Sequence, residues 1–241
     1  MRLRQQVKRI TPSAILNLYR KIKSANHHVF KRVKNERSAK KYKSLILERF
    51  PDLVNTPENS VVLDLGANIG SFTHACVELG MSVKSVEPHP IAFKYLRNRT
   101  KRFSKVEVYQ MAVSNHSGSI KLFTHPQQKN DPITTSVSAS LVADKFGDHS
   151  GHYEVPSVTL DYFFVTNLVY DVVKIDIEGA EMYLVDQLIS NSKSIKRLLV
   201  ETHERFMLES AYSEKYQVQL QKLADYITVN ELEKVWLLDW I

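Results

Sequence analysis

"VVLDLGANIGSFTHACVELG", residues 61–80, runs from an apolar strand through a glycine-bearing loop into a helix closed by Gly80. The strand, "SVVLDLG" from Ser60, is short and apolar, the pattern of a strand covered on both faces of a sheet. Its loop carries Asp64, Gly66, Asn68 and Gly70. Glycines at such a place permit a tight turn and let a ligand approach the backbone closely. An acid followed by G-x-x-x-G is not the dinucleotide signature, which wants G-x-G-x-x-G.

The same alternation continues outward. "MSVKSVE" reads as a second strand, "PIAFKYLRNRTKRF" as a second helix and "KVEVYQMAV" as a third strand. "GSIKLFT" and "YEVPSVTLD" read as strands around a polar stretch, residues 124–152. "YDVVKID" is a strand with "AEMYLVDQLI" as its helix, and "IKRLLVETH" is a further strand. "SEKYQVQLQKLADY" reads as a helix and the tail "ITVNELEKVWLLDWI" as a closing hairpin. Strands alternating with helices predict an α/β fold, a mainly parallel sheet with helices on both faces. Ligands of such sheets sit at the carboxyl ends of the strands. Glu87 ends the second strand, where a carboxylate accepts hydrogen bonds from both hydroxyls of a ribose. A loop of this kind with a nearby acid does not depend on pyrophosphate, which suits S-adenosylmethionine.

"VVKIDIEGAE", residues 172–181, places Asp176, Glu178 and Glu181 straight after an apolar run. Asp176 and Glu178 stand two apart at a strand end, so extended geometry turns them to one side of the rim. Glu181 starts the following helix, where the helix dipole favours a carboxylate. Asp176 has no such structural explanation, and His203 ends the next strand facing the same rim.

Charge divides the chain unevenly. Residues 1–50 hold 15 Lys and Arg against only Glu36 and Glu48, whereas the remaining 191 hold 18 against 24 acids. Within the first part, "SAILNLYRKIK" after Pro12 has the spacing of an amphipathic basic helix, and a second helical segment covers about 36–49. "PDLVNTPENS" reads as a linker. The predicted domains are a basic helical extension, 1–57, and a folded domain, 58–241. A basic arm of this kind suits an anionic partner, either a membrane surface or a phosphorylated acceptor. Cys76 is the single cysteine, which excludes an intrachain disulfide and a cysteine metal cluster. No apolar stretch approaches the ~20 residues needed to span a bilayer, and the N-terminus lacks the apolar core of a signal peptide. These features predict a cytoplasmic protein, with peripheral contact at the membrane surface as a role for the arm.

Taken in order, "VLDLGANIGSFT", "VEPHP", "MAVSNHSGSIKLF", "VTLD" and "VVKIDIEGAE" resemble the FkbM-type family of S-adenosylmethionine-dependent methyltransferases over about residues 60–205. The resemblance implies a Rossmann-like class I methyltransferase fold, a seven-stranded sheet with a terminal antiparallel hairpin, and O-methylation of hydroxyls, often on sugars, glycans or glycolipids. It implies that Asp64, Gly66, Asn68 and Gly70 surround the methionine end of the cofactor, with Glu87 on the ribose and Met111 and Ala112 beside the adenine. Asp176 falls where the family's fourth-strand acid meets the cofactor or the acceptor. Ser136 and Ser138 in "TTSVSAS" resemble a serine-rich stretch before the acceptor site.

Methyl transfer from a sulfonium to an oxygen needs acceptor, methyl and sulfur held in line, and well-held geometry can supply ~7–11 kcal/mol. A sugar hydroxyl also gains from a positioned base, typically ~10²–10⁴-fold. His203 suits that role because its ordinary pKa lies near neutrality. Asp176 or Glu178 can serve instead, or can orient the imidazole. A divalent metal is not expected, although Asp176, Glu178, Glu201 and His203 offer hard-cation ligands on adjacent strand ends. Nucleic-acid methylation is the competing enzyme class. It is disfavoured because the fourth strand reads "DIEG" where base-amino enzymes carry an Asn/Asp-Pro-Pro-aromatic tetrad. A non-catalytic module that binds anionic surfaces is the remaining alternative, and the intact Asp64, Gly66, Gly70 and Glu87 set opposes it. The acceptor's identity and the oligomeric state are not encoded in any of these motifs.

Overall fold

A computed structural model describes residues 35–50, 53, 57–126, 135–136, 138–146, 151–165, 168–203, 213–229 and 235–237. All of them fall within one compact unit, residues 33–241. The amphipathic helix expected at residues 12–23 lies outside the described residues.

Six strands form the main sheet in the order β3-β2-β1-β7-β8-β9. They are β1 (Val61–Leu65), β2 (Ser82–Val86), β3 (Val106–Tyr109), β7 (Val172–Ile175), β8 (Leu198–Val200) and β9 (Val235–Leu237). Every pairing is parallel. The order reverses between β1 and β7, which creates the crevice where open α/β sheets bind ligands. A smaller sheet, β4-β6-β5, joins β4 (Ala112–Ser114), β5 (Gly118–Thr124) and β6 (Gly151–Thr159). In it β5 runs antiparallel to β6 from Gly118 opposite Ser157 to Thr124 opposite Gly151.

The strands distribute their side chains with period two, as pleated geometry requires. Val62, Val172 and Leu199 face one core, with Phe72, Ala75 and Cys76 of α2 (Ser71–Glu78). Leu63, Leu65, Val173, Ile175, Leu198 and Val200 face the other, with Leu184 and with Leu188 of α4 (Val185–Ser190). The remaining helices are α1 (Asn35–Arg49), α3 (Pro90–Thr100) and α5 (Ser213–Val229). Pro90 opens α3 with its fixed φ, and His89 caps it by accepting the Ala92 N–H at Nδ1, 3.3 Å.

Four expectations change. Among the described residues the main sheet has six strands rather than seven. The tail forms no hairpin there: residues 227–229 complete α5, and β9 pairs parallel with β8. "KVEVYQMAV" is two strands, β3 and β4, because the chain leaves the main sheet after Tyr109 and enters the smaller one at Ala112. The packed body also begins before residue 58. Ile46, Phe50 and Leu53 are buried in the α2 core, and Tyr42 meets Phe72 edge-on at 5.3 Å. Burying each such side chain is worth about 1.5–3 kcal/mol, so α1 is held by the fold despite its basic composition. Among the described residues no helix is long and apolar enough to cross a membrane.

Candidate active site

The loop after β1 is shaped by contact with the rim of β7. Gly66 has φ +75, and a Cβ placed there would lie 1.8 Å from the carbonyl oxygen of Asp176. Only glycine fits both the left-handed conformation and that approach. Asn68 also has positive φ, at 49. It donates its backbone N–H to Glu87 Oε2 at 2.8 Å, while His89 N donates to Glu87 Oε1 at 2.7 Å. Gly70, φ +82, begins α2 so closely against α3 that a Cβ would stand 2.7 Å from Leu96 Cδ1. Glu87, just past the end of β2, is therefore pinned beside the glycine loop. Burial pushes its carboxyl up to about 7, with the His89 and Asn68 amides opposing that rise.

Asp64 takes a different place from the one its position in the motif implied. It is wholly buried and stands in register with Lys174 of the neighbouring β7. Lys174 Nζ lies 3.4 Å from Asp64 Oδ1 and 3.2 Å from Asp176 Oδ2, and donates to the Gly66 carbonyl at 3.2 Å. Thr73 of α2 donates to Asp64 Oδ2 at 2.6 Å. Asp64 thus anchors the loop from beneath. Burial opposes the Lys174 charge, but Asp176 and Asp64 outweigh it and raise its pKa further. Sequence reasoning passed over Lys174, although a lone cation inside an apolar strand was a visible signal.

Asp176 and Glu178 form the open side of the rim, with side chains 21% and 14% exposed. Glu178 has φ +58, a strained conformation for a residue with a Cβ. Its carbonyl accepts from Ser140 Oγ at 2.6 Å, and its carboxylate pairs with Lys145. Both Ser140 and Lys145 come from the polar stretch between β5 and β6. Neither was singled out in the sequence, because only the fold brings them to this rim.

His203 lies behind this pair, buried, with Nε2 3.4 Å from Glu178 Oε2 and 3.9 Å from Asp176 Oδ1. Its Nδ1 meets Glu181 Oε1 at 2.8 Å. That same oxygen accepts the N–H groups of Ile177 and Gly179, each at 3.2 Å. Glu181 therefore orients the imidazole, a tertiary role that its place at the start of a helix did not reveal. Burial disfavours the imidazolium, yet Glu181 and Glu178 together raise the His203 pKa well above its ordinary value. Burial alone would raise Glu178, but His203 and Lys145 bring it down to about 2. Glu201, at the end of β8, is pushed up to about 8 by burial and by Asp176.

The remaining expected residues fall around this centre. Met111 and Ala112 stand at the break between β3 and β4, Ala112 buried and Met111 half-buried. Ser136 Oγ accepts from Asn68 Nδ2 at 3.4 Å, so it adjoins the glycine loop. Ser138 instead donates to the Thr135 carbonyl at 2.9 Å, a local turn contact. Tyr42 of α1 packs edge-on against Phe72, and desolvation raises its hydroxyl pKa.

Hexuronic acid methyltransferase AglP of Haloferax volcanii is 27% identical over 157 residues, which are 63% of this chain and 59% of that protein. The chain thus spans less than two thirds of that relative's length. The SAH-bound methyltransferase PaMTH1 of Podospora anserina aligns with 97% of this chain and 91% of its own, at 9% identity and a TM-score of 0.35. The methyltransferase FkbM domain matches residues 64–232, from the acid of the glycine loop through the rim and past α5. The chain belongs to the FkbM methyltransferase family.

Proposed function

We propose that the protein transfers the methyl group of S-adenosylmethionine to an oxygen of a sugar, in a glycan or glycolipid that carries a hexuronic acid. The observation that carries this reading is the contact of Gly66 with the Asp176 carbonyl, which joins the cofactor loop to the acidic rim. In this reading Glu87 accepts the ribose hydroxyls, Gly66 and Gly70 leave room for the methionine end, and Met111 and Ala112 border the adenine. Asp176 and Glu178 face the acceptor oxygen, and one of their carboxylates takes its proton as the methyl leaves sulfur. His203 is a positioning residue for that pair, because its two nitrogens face Glu181 and the rim carboxylates rather than the crevice. Ser136, beside Asn68, borders the acceptor.

The acceptor class is supported by the AglP relative, whose name specifies a hexuronic acid. The charge excess of residues 1–50 supports an anionic partner for that segment, either a phosphorylated acceptor or a membrane surface. The test is transfer of labelled methyl from S-adenosylmethionine to uronic-acid oligosaccharides and to their carboxyl-reduced counterparts. Label retained after mild alkali marks a hydroxyl acceptor, and alkali-labile label marks a carboxylate acceptor. No label in either glycan class would sink the carbohydrate reading.

A further inference from the structure

We infer that the exposed face of α3, continued by α2 and α1, docks on an anionic lipid membrane. Residues 90–105 hold Lys94, Arg97, Arg99, Lys101, Arg102 and Lys105 and no acid, although residues 51–241 together carry more acids than bases. The basic character of the chain is therefore not confined to its first 50 residues.

The fold turns these cations outward. Ala92, Leu96 and Thr100, at i, i+4 and i+8, are the buried stripe of α3. Lys94, Arg97 and Lys101, at i, i+3 and i+7, share the opposite stripe, and all three are exposed. None of the three forms an ion pair with another described residue. Their charge is presented to solvent and serves no internal pairing.

Two neighbouring helices widen the face. Arg102, just past α3, reaches His74 of α2 at 3.5 Å, and Lys105 donates to the Gly80 carbonyl at 2.8 Å. From α1, Lys43 meets Glu78 of α2 at 3.9 Å. The three helices adjoin one core, which holds Ile46 of α1 and Phe72 of α2, with Phe103, just past α3, packed against it. On α1, Lys40, Lys43 and Leu47 repeat the i, i+3, i+7 spacing, and Leu47 is 45% exposed. Tyr95 of α3 is 43% exposed.

Cations with exposed apolar side chains among them fit a bilayer surface. Lys and Arg meet anionic headgroups there, and a Leu or Tyr enters the interface. A nucleic acid would use the same cations but offers Leu47 no apolar contact. Stacking on bases needs several aromatics, and among the described residues of these helices Tyr95 alone is a large exposed aromatic. Lys94, Arg97 and Lys101 belong neither to the glycine loop nor to the acidic rim, so docking of this face is independent of methyl transfer.

The test is co-sedimentation of the full chain with vesicles of phosphatidylcholine and phosphatidylserine in equal parts, against vesicles of phosphatidylcholine alone. Binding is expected to the anionic vesicles only, and to weaken as salt is raised. Lys94→Gln, Arg97→Gln and Lys101→Gln combined should lower the partition coefficient at least about tenfold. Lys121→Gln, Lys193→Gln and Lys215→Gln combined remove the same charge from exposed sites on other elements, and should leave the coefficient nearly unchanged. Circular dichroism verifies that each variant is folded. An unchanged coefficient in the α3 variant, equal losses in the two triple variants, or equal binding to both vesicle types would overturn the inference. So would a folded wild type that binds neither vesicle. Single-stranded RNA bound in place of vesicles, and released by the α3 substitutions, would reassign the face to nucleic acid. Methyl transfer to a soluble oligosaccharide is judged by its own assay in every case.

Discussion

Gly66 and Asp176 touch through their backbones, with room for no atom between the Gly66 Cα and the Asp176 carbonyl. Two loops from adjacent strands, β1 and β7, are thereby locked at the point where the sheet order reverses. Substituting Gly66 by alanine places a Cβ into that carbonyl and adds left-handed strain of about 1–2 kcal/mol. Gly66→Ala is expected to lower the melting temperature and to abolish detectable cofactor binding. A variant with wild-type stability and affinity would show that the two loops are not locked together.

Lys174 holds the fully buried Asp64 and the partly exposed Asp176, and removing one partner of a buried ion pair costs about 3–5 kcal/mol. Lys174→Met is therefore expected to destabilise the protein by that amount in urea unfolding. The double variant Asp64→Asn with Lys174→Met should recover part of the loss, because one orphaned charge goes with its partner. Equal destabilisation in the single and the double variant would contradict the pairing.

Helix α1 is part of the core although it lies outside the family-matched residues. Ile46→Ala is expected to cost about 2–5 kcal/mol, as for other buried aliphatic truncations. A cost below ~0.5 kcal/mol, ordinary for a surface site, would return α1 to the status of an appendage.

Glu87 makes cofactor binding depend on pH. Its carboxyl is raised to about 7 by burial, and only the ionised form accepts both ribose hydroxyls. A raised acid contributes stability that is complete below its unfolded value and is lost as pH rises through about 7. The ligand-free protein thus bears the cost of this charge above pH 7, and the bound ribose offsets it. Affinity for S-adenosylmethionine is expected to rise with pH between 6 and 7 and to level off above 8. Measured by calorimetry, a flat profile over that range would exclude Glu87 as the ribose acceptor.

Much of this was legible in the sequence, because local rules governed it. The strands β1, β2 and β7 were readable from their apolar runs, and Gly66 and Gly70 from the turn they permit. The acid at Glu87 followed from its place at a strand end. What escaped depended on register and on distant packing. Asp64 belonged to a recognisable motif, but its partner was fixed only when β7 placed Lys174 directly opposite. Glu181 looked like a helix-start carboxylate until β8 brought His203 to it. Helix α1 looked like part of a basic extension because its many charges hid Ile46, and Phe50 and Leu53 just beyond it are buried in the same core. Ser140 and Lys145 sit in a polar stretch with no periodicity, so nothing local tied them to Glu178.

Calorimetric titration of S-adenosylmethionine into the wild type and Glu87→Ala at pH 8 tests the central claim most directly. Each hydrogen bond to a charged acceptor is worth about 1.5–3 kcal/mol, so losing the carboxylate should weaken binding by at least about tenfold. The account expects saturable binding at one site per chain, reduced by that factor or more in a folded variant. A folded wild type that binds no S-adenosylmethionine, or a Glu87→Ala variant that binds it equally well, would contradict it.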